Sequence, residues 1–136
     1  MEQDGLEIAA NIERCIAAAG TLDAIGLANQ GESCLAWDSV SKEPLAPVIV
    51  WQDNRTAMDL SSLAPELTAR ITALSSLPAD AYFSASKLGW IMRNVPAARA
   101  AHAQGRLRLG TTDAFYLDRL AGCFATDRAI ASRTSH

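Results

Sequence analysis

A chain of 136 residues with 12 Lys and Arg against 15 Asp and Glu has a net charge of −3 and a pI near 5.3. Its 49% hydrophobic and 20% charged residues exclude a disordered chain and suit one domain with one core. No Lys/Arg block exists to neutralise phosphates, which argues against nucleic acid and anionic membrane as main partners, and no apolar run reaches the ~18–20 residues of a spanning helix.

Alanine is the commonest residue, so the chain is expected to be rich in helix. Asp4 is placed to cap a helix over 5–19, with Glu7 as its capping-box partner. Ile8, Ile12, Cys15, Ile16 and Ala19 recur along it at helical spacing, and Gly20 stops it. Three short apolar runs follow and read as strands: 24–28, 34–37 and 47–51. The segment Asp38–Pro44 has turn chemistry and joins the last two as a hairpin loop. Helical patterning then returns. Asp53 or Asn54 is placed to cap a helix through Leu63, and Pro65 opens another that ends before Pro78. Ser84 caps a third through Val95, and Pro96 opens a fourth that Gly105 ends. Residues 107–109 alternate as a short strand, Thr111 or Thr112 caps a last helix, and Gly122 stops it. Asp113 and Thr112 are read as capping residues. The order predicts an α/β or α+β fold with a three-stranded sheet portion and several helices. Opening on a helix, the sheet reads as short of partner strands, as part of something larger.

Self-contained catalytic motifs are absent from the sequence. It has no Gly-x-x-x-x-Gly-Lys, no Gly-x-Gly-x-x-Gly and no His-Glu-x-x-His. His102 on a polar helix end and His136 at the last position are poor candidates for catalysis. Cys15, Cys34 and Cys123 are odd in number and widely spaced, as expected of reduced thiols in a cytoplasm. Met1-Glu2-Gln3-Asp4-Gly5 lacks the basic start of a signal peptide.

Polar residues at strand ends carry the functional reading. Asn29-Gln30-Gly31-Glu32 follows the first expected strand and Trp51-Gln52-Asp53 the third. Ligands of α/β sheets bind beyond strand ends. Glu32 offers a carboxylate to hydroxyls, Trp51 an apolar face with a donor N–H, and Tyr82 a phenolic hydroxyl. Together they suit a polyol or sugar. A plainer reading stands beside this one: Glu32 as a solvated turn residue, Trp51 and Tyr82 as core aromatics with satisfied polar tips. Asp53 likewise reads either as part of the site or as a helix cap.

Five segments then carry a resemblance. Gly26-Leu27-Ala28-Asn29-Gln30-Gly31-Glu32-Ser33, Val50-Trp51-Gln52-Asp53-Asn54-Arg55-Thr56 and Asp80–Trp90 resemble the FGGY family of carbohydrate kinases, most closely its glycerol kinase branch. Gly110-Thr111-Thr112-Asp113 and Ala131-Ser132-Arg133-Thr134 resemble two later motifs in the same order. The resemblance implies a cytoplasmic ATP- and Mg2+-dependent kinase acting on a sugar or polyol hydroxyl. It implies a fold related to actin and ribonuclease H, with the active site between two domains. It implies that Glu32, Trp51 and Tyr82 hold the polyol. Arg55 and Arg133 match family positions and are read as structural.

Two departures qualify this. Gly31 stands where the family carries an arginine, so a charged fork is missing, which points to a larger polyol or a decayed site. The family's opening phosphate-binding strand turn, its catalytic aspartate and its ATP-binding domain are also missing, so residues 1–136 read as an incomplete N-terminal domain. The expectation is a kinase fragment, inactive alone, whose open sheet edge favours a homo-oligomer or a missing kinase half as partner. The alternatives are a non-catalytic polyol-binding or interaction module and a degenerate remnant.

Overall fold

The computed structural model describes residues 1–134. In chain order the elements are β1 (Glu2–Gln3), α1 (Gly5–Ala19), β2 (Cys34–Asp38), β3 (Val48–Ile49), α2 (Ala57–Ser61), α3 (Pro65–Ser75), α4 (Ser84–Asn94), α5 (Pro96–Ala103), β4 (Leu107–Thr111), α6 (Thr112–Ala121) and α7 (Arg128–Ala131).

The sheet has four strands in the order β1-β3-β2-β4, and each neighbouring pair is antiparallel. Every residue of β2 is buried, because helices cover both of its faces. Side chains alternate across a strand. Leu35 and Trp37 therefore point one way, into a cluster with Ala9, Val48, Phe115 and Tyr116 beneath α1 and α6. Cys34 and Ala36 point the other way, to Ile49, Leu88, Ile91 and Ala98 beneath α4 and α5. Trp37 meets Phe115 edge to face at 5.5 Å between ring centroids.

Local chemistry explains the helices. The Asp4 carboxylate accepts from the backbone N–H of Leu6 at 2.8 Å and of Glu7 at 3.2 Å, capping α1, and Gly20 closes it at φ 78°. Pro65 and Pro96 stand in the first turns of α3 and α5, where a missing N–H costs nothing. Gly122 ends α6 in the left-handed region.

Several expectations fail here. Residues 24–28 form no strand; Ile25 and Leu27 are exposed, since no neighbouring segment pairs with their backbone. The fourth place in the sheet goes to Glu2–Gln3, two residues too short to show alternation, and β4 runs on to Thr111. No helix starts at Asp53 or Asn54. Asp53 pairs with Arg55 instead, and α2 begins only at Ala57. Ser84 does not cap α4: Phe83 holds the cap position, and the Ser84 hydroxyl donates to the Glu32 carbonyl at 3.1 Å. Thr112 and Asp113 both lie inside α6, where Thr112 Oγ1 accepts from Asn29 and Asp113 accepts from Thr126 at 2.6 Å. No helix of the described residues is long and apolar enough to cross a membrane.

Candidate functional site

The antiparallel register sets where the polar residues gather. Cys34 at the start of β2 lies opposite Ile49 at the end of β3 and Thr111 at the end of β4. The residues just before β2 and just after β3 and β4 therefore share one end of the sheet. Glu32, Trp51 and Thr112 all occupy it. Glu32 thus belongs to a loop entering β2, not to one leaving a strand at 24–28.

Three of the expected site residues come together. The Trp51 and Tyr82 rings meet edge to face, with centroids 5.5 Å apart and planes at 62°. Ser33, next to Glu32, accepts the Trp51 backbone N–H at 3.2 Å. The start of α4 is tied to the Glu32 backbone through Ser84. Glu32 is 4% exposed and sits at φ 59°, a left-handed conformation that costs a side-chain-bearing residue ~1–2 kcal/mol. Strain of this kind gathers at functional sites. Both plainer readings therefore need correcting: Glu32 is not a solvated turn residue, and Trp51 and Tyr82 are half-buried rather than core aromatics. Gly31, the fourth expected position, brings no side chain, and a Cβ built on it meets nothing within 4 Å.

Two residues that the sequence reading did not place at the site complete it. Lys87 is fully buried on α4, and its ammonium donates to the Trp51 carbonyl at 2.9 Å and the Tyr82 carbonyl at 3.0 Å. One cation thereby fixes both aromatic-bearing segments. Burial pulls its pKa below the usual lysine value. Its signal was the Ser-Ala-Ser-Lys-Leu stretch after Tyr82, where a charged residue falls on the apolar face of a helix. Arg133 lies about a hundred residues from Glu32 in sequence, yet its Nε donates to Glu32 Oε1 at 2.7 Å. The Glu32 carboxylate, followed by the Tyr82 hydroxyl, raises the pKa of its guanidinium. Arg55 is structural as expected: it binds both oxygens of Asp53, reaches Glu2, and stacks 4.6 Å above Trp90.

No general base is free in this group. Asp53 is engaged by Arg55 and by the Met1 amino group, and hydrogen bonds from Arg55 hold its carboxyl far below the ordinary carboxylate range against the opposing effect of burial. His102 is exposed on α5, and His136 lies outside the described residues. No three His, Cys, Asp or Glu side chains among the described residues are grouped to hold a metal ion. A hollow of about 250 Å3 lined by Thr56, Leu60, Ile71, Phe83 and Gly89 includes none of Glu32, Trp51 and Tyr82.

Comparison with known proteins bears on the family and the fold. The chain is 47% identical over 119 residues to glycerol kinase 1 of Pseudomonas aeruginosa, covering 85% of this chain and 24% of that protein. It is 43% identical over 128 residues to the glycerol kinase of Rhodopseudomonas palustris, covering 92% and 26%. The chain thus spans about a quarter of the length of these curated relatives. The crystal structure of Plasmodium falciparum glycerol kinase with ADP superposes with a TM-score of 0.83, over 98% of this chain and 29% of that one, at 24% identity. That likeness bears on the fold alone: the α/β layers of this chain superpose on part of that kinase. The model of the N-terminal domain of the FGGY family matches residues 2–136, and the chain belongs to the FGGY family of carbohydrate kinases.

Proposed function

We propose that this chain forms the polyol-holding wall of a kinase that transfers the γ-phosphate of ATP to a hydroxyl of glycerol or a related polyol. The convergence of Glu32, Trp51 and Tyr82 at one end of the sheet carries this reading. A polyol hydroxyl donates one hydrogen bond and accepts others. Glu32 accepts from such hydroxyls, and its fixed backbone holds the acceptor in place without a reorganisation cost. The Trp51 and Tyr82 rings meet the carbon chain, and the Tyr82 hydroxyl exchanges hydrogen bonds with an oxygen of the substrate. Positioning of this kind is most of what a protein supplies to phosphoryl transfer.

The family implies ATP and Mg2+. The described residues do not fit the metal, since no carboxylates gather for it. The chain alone is therefore read as binding polyol without turnover. Its Asp53, the carboxylate nearest in sequence to Trp51, is committed to Arg55. The test is polyol-dependent ADP formation. The purified 136-residue chain is expected to give none, whereas a polypeptide that joins it to the remaining three quarters of a relative's length turns over. Turnover by the chain alone would contradict this reading.

A further inference from the structure

We infer that Arg133 is a polyol-binding and specificity-determining residue, the donor that hydrogen-bonds a substrate hydroxyl beside Glu32. The inference rests on the polyol-wall reading and adds a residue to it. Arginine carries five N–H donors. In Arg133, Nε is used by Glu32 at 2.7 Å, which leaves the other N–H groups of the guanidinium available to a ligand. The side chain stays 58% exposed, against 4% for the Glu32 carboxylate it touches. Burying the guanidinium with Glu32 would strip its hydration, and its exposure keeps it accessible to a ligand. It leaves donors facing outward between a carboxylate and a tyrosine, the alternation of donor and acceptor that adjacent hydroxyls require.

The backbone delivers it there firmly. Asp127 caps α7 by accepting the Ile130 N–H at 2.9 Å. The neighbouring Thr134 is buried, and its carbonyl accepts the Ala85 N–H at 3.0 Å, locking the segment to the start of α4. Gly31, the residue before Glu32, offers no side-chain donor. The space at Gly31 is open, and its φ is not positive, so a larger residue fits there. With Gly31 lacking a side chain, Arg133 is the cation in contact with Glu32 among the described residues. Its longer reach, from a separate segment, sets how large a polyol fits.

The experiment is calorimetric titration of the full chain with glycerol, erythritol and xylitol, with circular dichroism and thermal melting as fold controls. The unsubstituted chain is expected to bind at least one of them. Arg133→Gln weakens that binding at least tenfold while the melting midpoint moves by no more than a few degrees. Arg133→Lys falls between, because a point charge replaces a planar fork. Adding Gly31→Arg to Arg133→Gln restores most of the loss and shifts preference toward the smallest polyol. Equal affinities for the unsubstituted chain and Arg133→Gln would overturn the role of Arg133 and leave the polyol wall standing. Absence of binding by every folded form would overturn both.

Discussion

At the scale of single residues, Glu32 separates stability from function. Its left-handed backbone costs ~1–2 kcal/mol, which Glu32→Gly removes. Glycine loses ~0.5–1 kcal/mol more chain entropy on folding, and the pair with the exposed Arg133 adds little. These terms offset one another, so urea unfolding of Glu32→Gly is expected to stay within about 1 kcal/mol of the parent while polyol binding disappears. Lys87 behaves in the opposite way. Lys87→Met leaves the Trp51 and Tyr82 carbonyls without their donor, at ~1–3 kcal/mol each. Its stability in urea unfolding is expected to fall by about 2–6 kcal/mol, and the aromatic wall loosens with it. As candidates, Glu32, Trp51 and Tyr82 were legible in the sequence because their chemistry is stated by residue type next to a turn or an aromatic run. Lys87 was legible only as a charge on an apolar helix face, since its partner Trp51 lies 36 residues away, and Arg133 was not legible at the site because Glu32 lies 101 residues away.

At the scale of elements, Asp118 on α6 ties β2, β4 and the 39–44 loop together. It is 1% exposed and accepts from Trp37 Nε1 at 2.8 Å and Lys42 Nζ at 2.8 Å, and it pairs with Arg108. Burial pushes its carboxyl up, but the bonds from Arg108, Lys42 and Trp37 outweigh that and hold it at about 2. An unfolded aspartate titrates near 3.9. Because the folded value is the lower one, the stabilisation is complete above pH ~4 and is lost as pH falls from ~4 toward 2. Melting midpoints across that window are expected to drop steeply in the parent and to flatten in Asp118→Asn. Asp118→Ala, which strands two cations about a quarter exposed, is expected to cost about 3 kcal/mol in urea unfolding at neutral pH. The helices were readable because prolines, glycines and Asp4 punctuate them. The strands were harder. The apolar run at 24–28 carries strand composition but has no paired neighbour, whereas Glu2–Gln3 has a paired neighbour and no pattern.

At the scale of the whole molecule, the antiparallel sheet gives the site its place. Covering both faces with helices buries β2 and leaves the strand ends to carry polar groups. The same layering hides Cys34, whose thiol burial pushes up to about 12, while Cys15 and Cys123 stay exposed. A neutral thiol reagent is expected to label two cysteines in the native chain and three after unfolding, counted by mass spectrometry. Three labelled in the native state would mean that the α4–α5 layer does not close over β2. Proximity of β2, β3 and β4 ends was not legible from any one segment, since it depends on register between strands far apart in sequence.

The proposed function places a polyol against Trp51. The chain has three tryptophans, and their surroundings differ. The Trp37 indole N–H is buried on Asp118, Trp90 lies under Arg55, and Trp51 stands half-buried beside Tyr82 and the strained Glu32. Glycerol titrated into 15N-labelled chain reports on all three indole N–H signals at once. A saturable shift of the Trp51 signal, with those of Trp37 and Trp90 unmoved, is the predicted result. A Trp51 signal that stays still, or three signals that drift together without saturating, would contradict it.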